Sequence, residues 1–287
     1  MADAHEMEEF AEQSRAASEF AKPEKSDYKQ ILDISEWKTK DLWRAVIAEF
    51  FATLVFVQFS IGASVAVQVM PISLSPALAQ IFITGFHFLL ILMVIYGFAA
   101  ISGAHFNPSV TISVLFTRRV TLLRAVLYVV AQVIGGIAGA GFQLLATQSQ
   151  FKDLIQAPSG LFGANSGQVF CAELFVTFGL VFGTYANAFD PRGWGKLGPL
   201  AIALIVFINI FVASYISGGV MNPIRAFAPG VVQGHFESDI WAYLVGPIVG
   251  GVFGAVVYEY LFMFREHSRP QDVPSTSGDN HPKAKRE

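Results

Sequence analysis

Apolar residues in this chain gather into long runs separated by short polar connections. Six runs, 43–67, 77–99, 123–146, 169–189, 197–216 and 239–264, each match the span of about 20 residues that a helix needs to cross a bilayer core of ~30 Å. Two shorter apolar stretches stand apart. One, 107–116, lies between the second and third runs, and the other, 222–232, between the fifth and sixth. Neither is long enough to cross alone, and their length predicts re-entrant half-helices. The pattern predicts an all-α membrane protein with six transmembrane helices plus two re-entrant half-helices.

The runs repeat. Ser102-Gly103-Ala104-His105-Phe106-Asn107-Pro108 is matched 115 positions later by Ser217-Gly218-Gly219-Val220-Met221-Asn222-Pro223. At the same offset, Ile134-Gly135-Gly136-Ile137-Ala138-Gly139-Ala140 is matched by Val249-Gly250-Gly251-Val252-Phe253-Gly254-Ala255. Each half holds three spans and one half-helix. Three is odd, so the halves sit inverted in the membrane, with functional elements expected near the midplane between them. The glycine-rich stretches are read as places where helices cross closely.

The polar positions set the orientation. With the N-terminus inside, 17 of the 19 Lys and Arg fall on the cytoplasmic side, and only Lys152 and Arg225 do not. Both termini are therefore expected in the cytoplasm. Three regions follow: a polar cytoplasmic segment over 1–40, a channel domain over 41–265 with repeats at about 43–146 and 169–264, and a disordered cytoplasmic tail over 266–287. Arg15 and Ser18 form an Arg-x-x-Ser pattern that is read as part of a plain solvated tail. The acidic start, with Glu6, Glu8, Glu9 and Glu12, shows no cleavable leader, so the first run is expected to insert and remain.

Composition narrows the class. Hydrophobic residues make up 53 % of the 287, and charged residues 14 % against the roughly 25 % of a soluble domain. A formal net charge of −3 gives no reason to expect nucleic acid or another polyanion as partner. The single cysteine, Cys171, excludes an intrachain disulfide and a cysteine-based metal site. No nucleophile–base set or metal-ligand cluster stands in the polar loops, so an enzyme is disfavoured and no cofactor or metal is expected.

The two Asn-Pro pairs carry the chemistry. Proline suits the first turn of a helix, where its missing N–H costs nothing. Asparagine is a preferred cap, its carbonyl accepting an orphan backbone N–H. The amide N–H₂ is then expected to be free to donate into a pore. Two such caps, Asn107 before Pro108 and Asn222 before Pro223, present two donors to one passing water oxygen. Its hydrogens must then point away along the file, which disfavours proton hopping. The positive ends of both half-helices meet at that depth and repel cations.

Two Asn-Pro motifs, each in a Ser-Gly-x-x-x-Asn-Pro context within an inverted six-span repeat, resemble the aquaporin superfamily over about residues 43–264. The resemblance implies a passive water channel that excludes protons and ions, lies in a lipid bilayer as a homotetramer, and acts on water and small neutral solutes. Residence in the plasma membrane is expected over an intracellular vacuolar membrane. The chain departs from the family's usual Asn-Pro-Ala, with Ser109 in the first motif and Ile224 in the second. The three extra carbons of Ile224 are expected to spread the two tips slightly.

The family also has a narrower ring on the extracellular side, and alignment on the motifs places His87, Ile210, Gly219 and Arg225 there. A ring of this composition resembles members that pass ammonia, and often hydrogen peroxide, beside water. Gly219 removes bulk, and Ile210 removes a polar group that would compete for water. Glycerol-conducting relatives carry Asp directly after the arginine, where this chain has Ala226. Gly219 also stands where some relatives have a mercury-sensitive cysteine. Glu49 and Glu173, at matching places in the two halves, are expected to accept backbone N–H groups of the re-entrant segments, and His105 to pin the first of them. The alternatives are a coupled transporter, which would need a titratable centre that two asparagines do not supply, and an aquaporin fold of low or gated flux serving a structural or regulatory role.

Overall fold

The computed structural model describes residues 31–71 and 74–263. The Arg15/Ser18 pattern, and most of the two polar terminal regions, lie outside them. Among the described residues, eight α-helices build the structure: α1 (Lys40–Val69), α2 (Pro76–Ser102), α3 (Pro108–Phe116), α4 (Leu122–Ala146), α5 (Ser166–Thr184), α6 (Gly198–Ala213), α7 (Pro223–Gln233) and α8 (Ile240–Val257). Six of them, with the short turns that extend α5, α6 and α8, are long and apolar enough to cross a membrane. The other two, α3 and α7, have nine and eleven residues. At ~1.5 Å per residue they reach only about half-way through a bilayer core. The fold is an all-α membrane architecture of six spans and two half-helices in an inverted repeat.

Local chemistry sets the boundaries. Thr39 and Thr121 cap α1 and α4 by accepting the backbone N–H groups of Leu42 and Arg124. Asn165 and Gln168 form a reciprocal capping box at the start of α5. Gly103 ends α2 in a left-handed conformation, φ 88°. Along the spans, large apolar side chains such as Phe86, Leu89 and Met93 of α2, and Ile208 and Phe211 of α6, face outward, as a lipid-facing surface requires.

Each half is held by one close helix pair, α1 on α4 and α5 on α8. A Cβ on Gly135 or Gly139 would stand 2.3 Å from the carbonyl oxygens of Phe50 and Leu54. In the second half, Gly250 and Gly254 stand in the same relation to Leu174 and Phe178, at 2.0 and 2.6 Å. The glycine stretches bring backbones into contact by omitting side chains.

One end of the bundle gathers most of the charge. Arg119 at the start of the α3–α4 turn pairs with Glu259 at 2.8 Å, both side chains buried. Arg124 reaches Glu36, Tyr96 donates to the Lys196 carbonyl at 2.9 Å, and Arg192 donates to the Phe262 carbonyl at 2.7 Å. α5 and α8 both finish there in wide π-helical turns, Tyr185–Phe189 and Tyr258–Phe262.

Candidate functional site

The two loops that deliver the half-helices to the centre have the same backbone. Gly103, Ala104 and Phe106 have positive φ, and so do Gly218, Gly219 and Met221, each 115 positions on. Left-handed alanine, phenylalanine and methionine are strained and persist only where their surroundings hold them. The holding groups are buried carboxylates. Glu49 accepts the N–H groups of His105 and Phe106 at 2.9 and 2.7 Å, the Ser102 hydroxyl at 2.6 Å and the Gln132 amide at 2.8 Å. Glu173 accepts the N–H groups of Val220 and Met221 at 2.8 and 2.7 Å, with the Ser217 hydroxyl also bonded to it. His105 meets the Thr111 hydroxyl at 3.1 Å through Nδ1. A second repeated pair went unnoticed in the sequence. Tyr128 donates to the Ser102 carbonyl at 2.9 Å, and Tyr243 to the Ser217 carbonyl at 3.0 Å. The offset of 115 would have found it.

At the loop ends, Asn107 and Asn222 cap α3 and α7, preceding Pro108 and Pro223. Each Oδ1 accepts a backbone N–H of its own helix, from Ser109 at 2.9 Å and from Ile224 at 3.1 Å. The amides differ from the expectation of two free donors. Asn107 Nδ2 donates to the Met221 carbonyl at 2.8 Å, and Asn222 Nδ2 to the Phe106 carbonyl at 2.9 Å. One hydrogen of each amide therefore ties its half to the other, and one is left. The two carbonyls belong to the residues held at positive φ.

The tips are not spread by Ile224. Its side chain lies against α4, where a Cβ on Gly136 would be 2.4 Å from its Cγ1, with Val57 beside it. Ser109 occupies the matching place in the first half, fully buried, with Gly251 behind its carbonyl. The larger residue is met by a missing side chain on the neighbouring helix, so the asparagine bonds stay equally short.

His87, Ile210, Gly219 and Arg225 line one cavity of about 1130 Å³, together with Asn107 and Asn222. The cavity runs on past His105 and Ile202 to the connection around Asn187 and Lys196. Gly219 plays a part beyond saving bulk in the lumen. A Cβ there would stand 2.8 Å from Ile210 Cα, so the residue is a close backbone contact with α6 that offers only main chain to the cavity. His87 Nδ1 lies 2.8 Å from the Ile83 carbonyl, and its Nε2 lies 2.7 Å from the Ser60 hydroxyl. Arg225 Nε donates to that same hydroxyl at 2.6 Å, and its Nη2 approaches His87 Nε2 at 3.5 Å. Ser60 had no signal in the sequence, since a serine within an apolar span names no partner by itself and this one lies far from either motif.

Beyond the spans, Asp190 accepts two hydrogen bonds from the Arg192 guanidinium, which raises the basicity of Arg192 above its usual range. Tyr258 donates to the same carboxylate at 3.0 Å, closing the ends of α5 and α8 together. Cys171 is exposed on α5 and does not line the cavity.

Comparison with known proteins finds relatives along most of the chain. The profile of the major intrinsic protein family matches residues 36–258. "Probable aquaporin TIP2-2" of Oryza sativa subsp. japonica is 39 % identical over 232 residues, covering 78 % of this chain and 90 % of the relative. The lens fiber major intrinsic protein of Ovis aries is 35 % identical, covering 80 % and 85 %. Aquaporin-4 of Bos taurus is 34 % identical, covering 78 % and 69 %. Among solved structures, the X-ray structure of the aquaglyceroporin from Plasmodium falciparum superposes with a TM-score of 0.65. It is 23 % identical, over 77 % of this chain and 96 % of that one, a likeness of fold.

Proposed function

The chain belongs to the major intrinsic protein family, the aquaporins, and from that premise we propose that it is a passive channel passing water in single file, with ammonia or hydrogen peroxide beside it, and refusing protons and ions. The meeting of Asn107 and Asn222 carries the reading. Both line the cavity, and each keeps one amide hydrogen after tying its loop to the opposite half. A water oxygen at that point accepts from both amides. Its own hydrogens then point outward along the file, and the continuous hydrogen-bond chain that proton hopping needs is broken in the middle. The N-termini of α3 and α7 converge there and add a positive potential that repels cations.

The solute range rests on the constriction. Ile210 supplies an apolar wall, Gly219 only backbone, and the second nitrogen of His87 is already engaged by Ser60. Few polar groups are left to demand an exchange of hydrogen bonds, so a small neutral amine or peroxide loses little on entry. Arg225 keeps its terminal N–H groups as donors to a passing oxygen and as a fixed charge against cations. A mainly structural role of low flux drew its support from Ile224, and the packing of that residue on Gly136 removes the reason for it.

The homotetramer belongs to the same proposal, supported by apolar side chains exposed on the outer faces of α1, α2, α5 and α6. Cytoplasmic termini are supported by the basic residues gathered at the end where α2, α5 and α8 finish. Stopped-flow light scattering on proteoliposomes tests the channel. Water flux should show a low activation energy and no saturation, and proton flux should stay at the level of empty liposomes. A steep temperature dependence would refute it.

A further inference from the structure

The constriction as aligned takes residues from the second span, the fifth span and the second re-entrant segment, its loop and half-helix, and none from the first span. The structure brings a fifth side chain to it. Ser60 of α1 is 1 % exposed, and its hydroxyl stands between Arg225 Nε at 2.6 Å and His87 Nε2 at 2.7 Å. The partners settle who donates. The Ile83 carbonyl can only accept, so His87 carries its proton on Nδ1. Nε2 of the neutral ring then holds a lone pair, and the guanidinium can only donate. The single hydroxyl proton goes to the histidine while the oxygen accepts from the arginine. The hydroxyl thus links the two side chains in one direction, with Arg225 Nη2 also approaching the same histidine lone pair at 3.5 Å.

We propose that Ser60 is a positioning residue of the constriction, holding the Arg225 side chain against the wall and fixing the His87 tautomer, and thereby setting how larger solutes pass relative to water. It rests on the channel reading above and names the means by which that site keeps its width. Arginine has many rotamers, and the bond at Nε leaves it few. Without the hydroxyl, the Nε–H would lose the acceptor it now has at 2.6 Å. The water within reach is the file in the cavity, so the guanidinium would swing off the wall into the lumen. The freed Nε2 lone pair would turn the same way. A narrower, more polar ring hinders a solute larger than water more than water itself.

The test uses the full chain in proteoliposomes, with water and hydrogen peroxide fluxes measured side by side. Ser60→Ala should lower the peroxide-to-water ratio by about tenfold, the size of losing one hydrogen bond to a charged group. Ser60→Thr, which keeps the hydroxyl, should restore the ratio. A second readout is independent of flux. In ¹⁵N NMR of histidine-labelled protein, with His87 assigned by its loss in His87→Phe, Ser60→Ala should move the Nε2 resonance towards that of a free lone pair, and Ser60→Thr should return it. An unmoved Nε2 resonance, or an unchanged ratio in a conducting protein, overturns the proposal. If the wild type conducts neither solute above empty liposomes, the channel reading fails by itself and the resonance alone decides on Ser60.

Discussion

Ile224 Cγ1 stands 2.4 Å from the point where a side chain on Gly136 would begin, so the two positions share one space. The matching places in the other half hold a small residue, Ser109, against another glycine, Gly251. The unusual isoleucine is thus absorbed sideways into the α4 contact, and the two asparagine cross-bonds stand at 2.8 and 2.9 Å.

Gly136→Ala should therefore destabilise the protein by about 1–3 kcal/mol, the cost of overpacking a filled core. Ile224→Ala leaves a void and should also destabilise, by roughly 2–5 kcal/mol. The double variant should lose less than the sum of the two, because each change makes room for the other. Denaturant or thermal unfolding in detergent micelles measures the coupling. Strict additivity would mean that the two residues do not share the space.

Replacing Glu49 or Glu173 with glutamine places an N–H₂ where one of the loop N–H groups now finds an oxygen. Each lost bond to a charged acceptor is worth about 1.5–3 kcal/mol. Both variants should melt at lower temperature, and both should lose water permeability, since the asparagines ride on the loops these carboxylates hold. A proton relay would behave otherwise, with stability kept and a change confined to proton flux.

His87→Phe adds bulk to the constriction and removes the acceptor for Ser60. A difference of this size in a pocket is worth about 1–3 kcal/mol, so ammonia and peroxide fluxes relative to water should fall at least about tenfold. Parallel flux measurements on both proteins decide it. Identical behaviour towards all four of water, ammonia, peroxide and glycerol would remove His87 from the constriction.

Mercurials should inhibit weakly. The lone Cys171 is exposed on α5 away from the cavity, and Gly219 at the constriction offers no thiol. Water flux before and after mercuric chloride measures this. Strong block of the wild type, relieved in Cys171→Ser, would place that thiol in the path.

The architecture was legible because a bilayer imposes lengths. A run of 20 or more apolar residues spans, and one of ten cannot, so 107–116 and 222–232 stood out as half-helices before any motif was read. The chain also carries its own comparison, and any residue repeated 115 positions later declares a shared task. That signal covered the asparagines and glycines, and would have covered Tyr128 with Tyr243. It is silent on contacts that only one half makes. Ser60 meets Arg225 across 165 positions, and Ile224 meets Gly136 between two helices whose apposition no local pattern records. One hydrogen of each asparagine was misjudged for a different reason: both halves make the bond, but its acceptor is a carbonyl of the other half, which no pattern along the chain records.

Those cross-bonds bear on how the molecule is made. Asn107 needs the carbonyl of Met221, and Asn222 needs that of Phe106, so neither half can complete its own centre. The first half is synthesised earlier, and its Asn107 amide waits for an acceptor that has not yet been translated. Only when the last loop re-enters the membrane do both tips settle together.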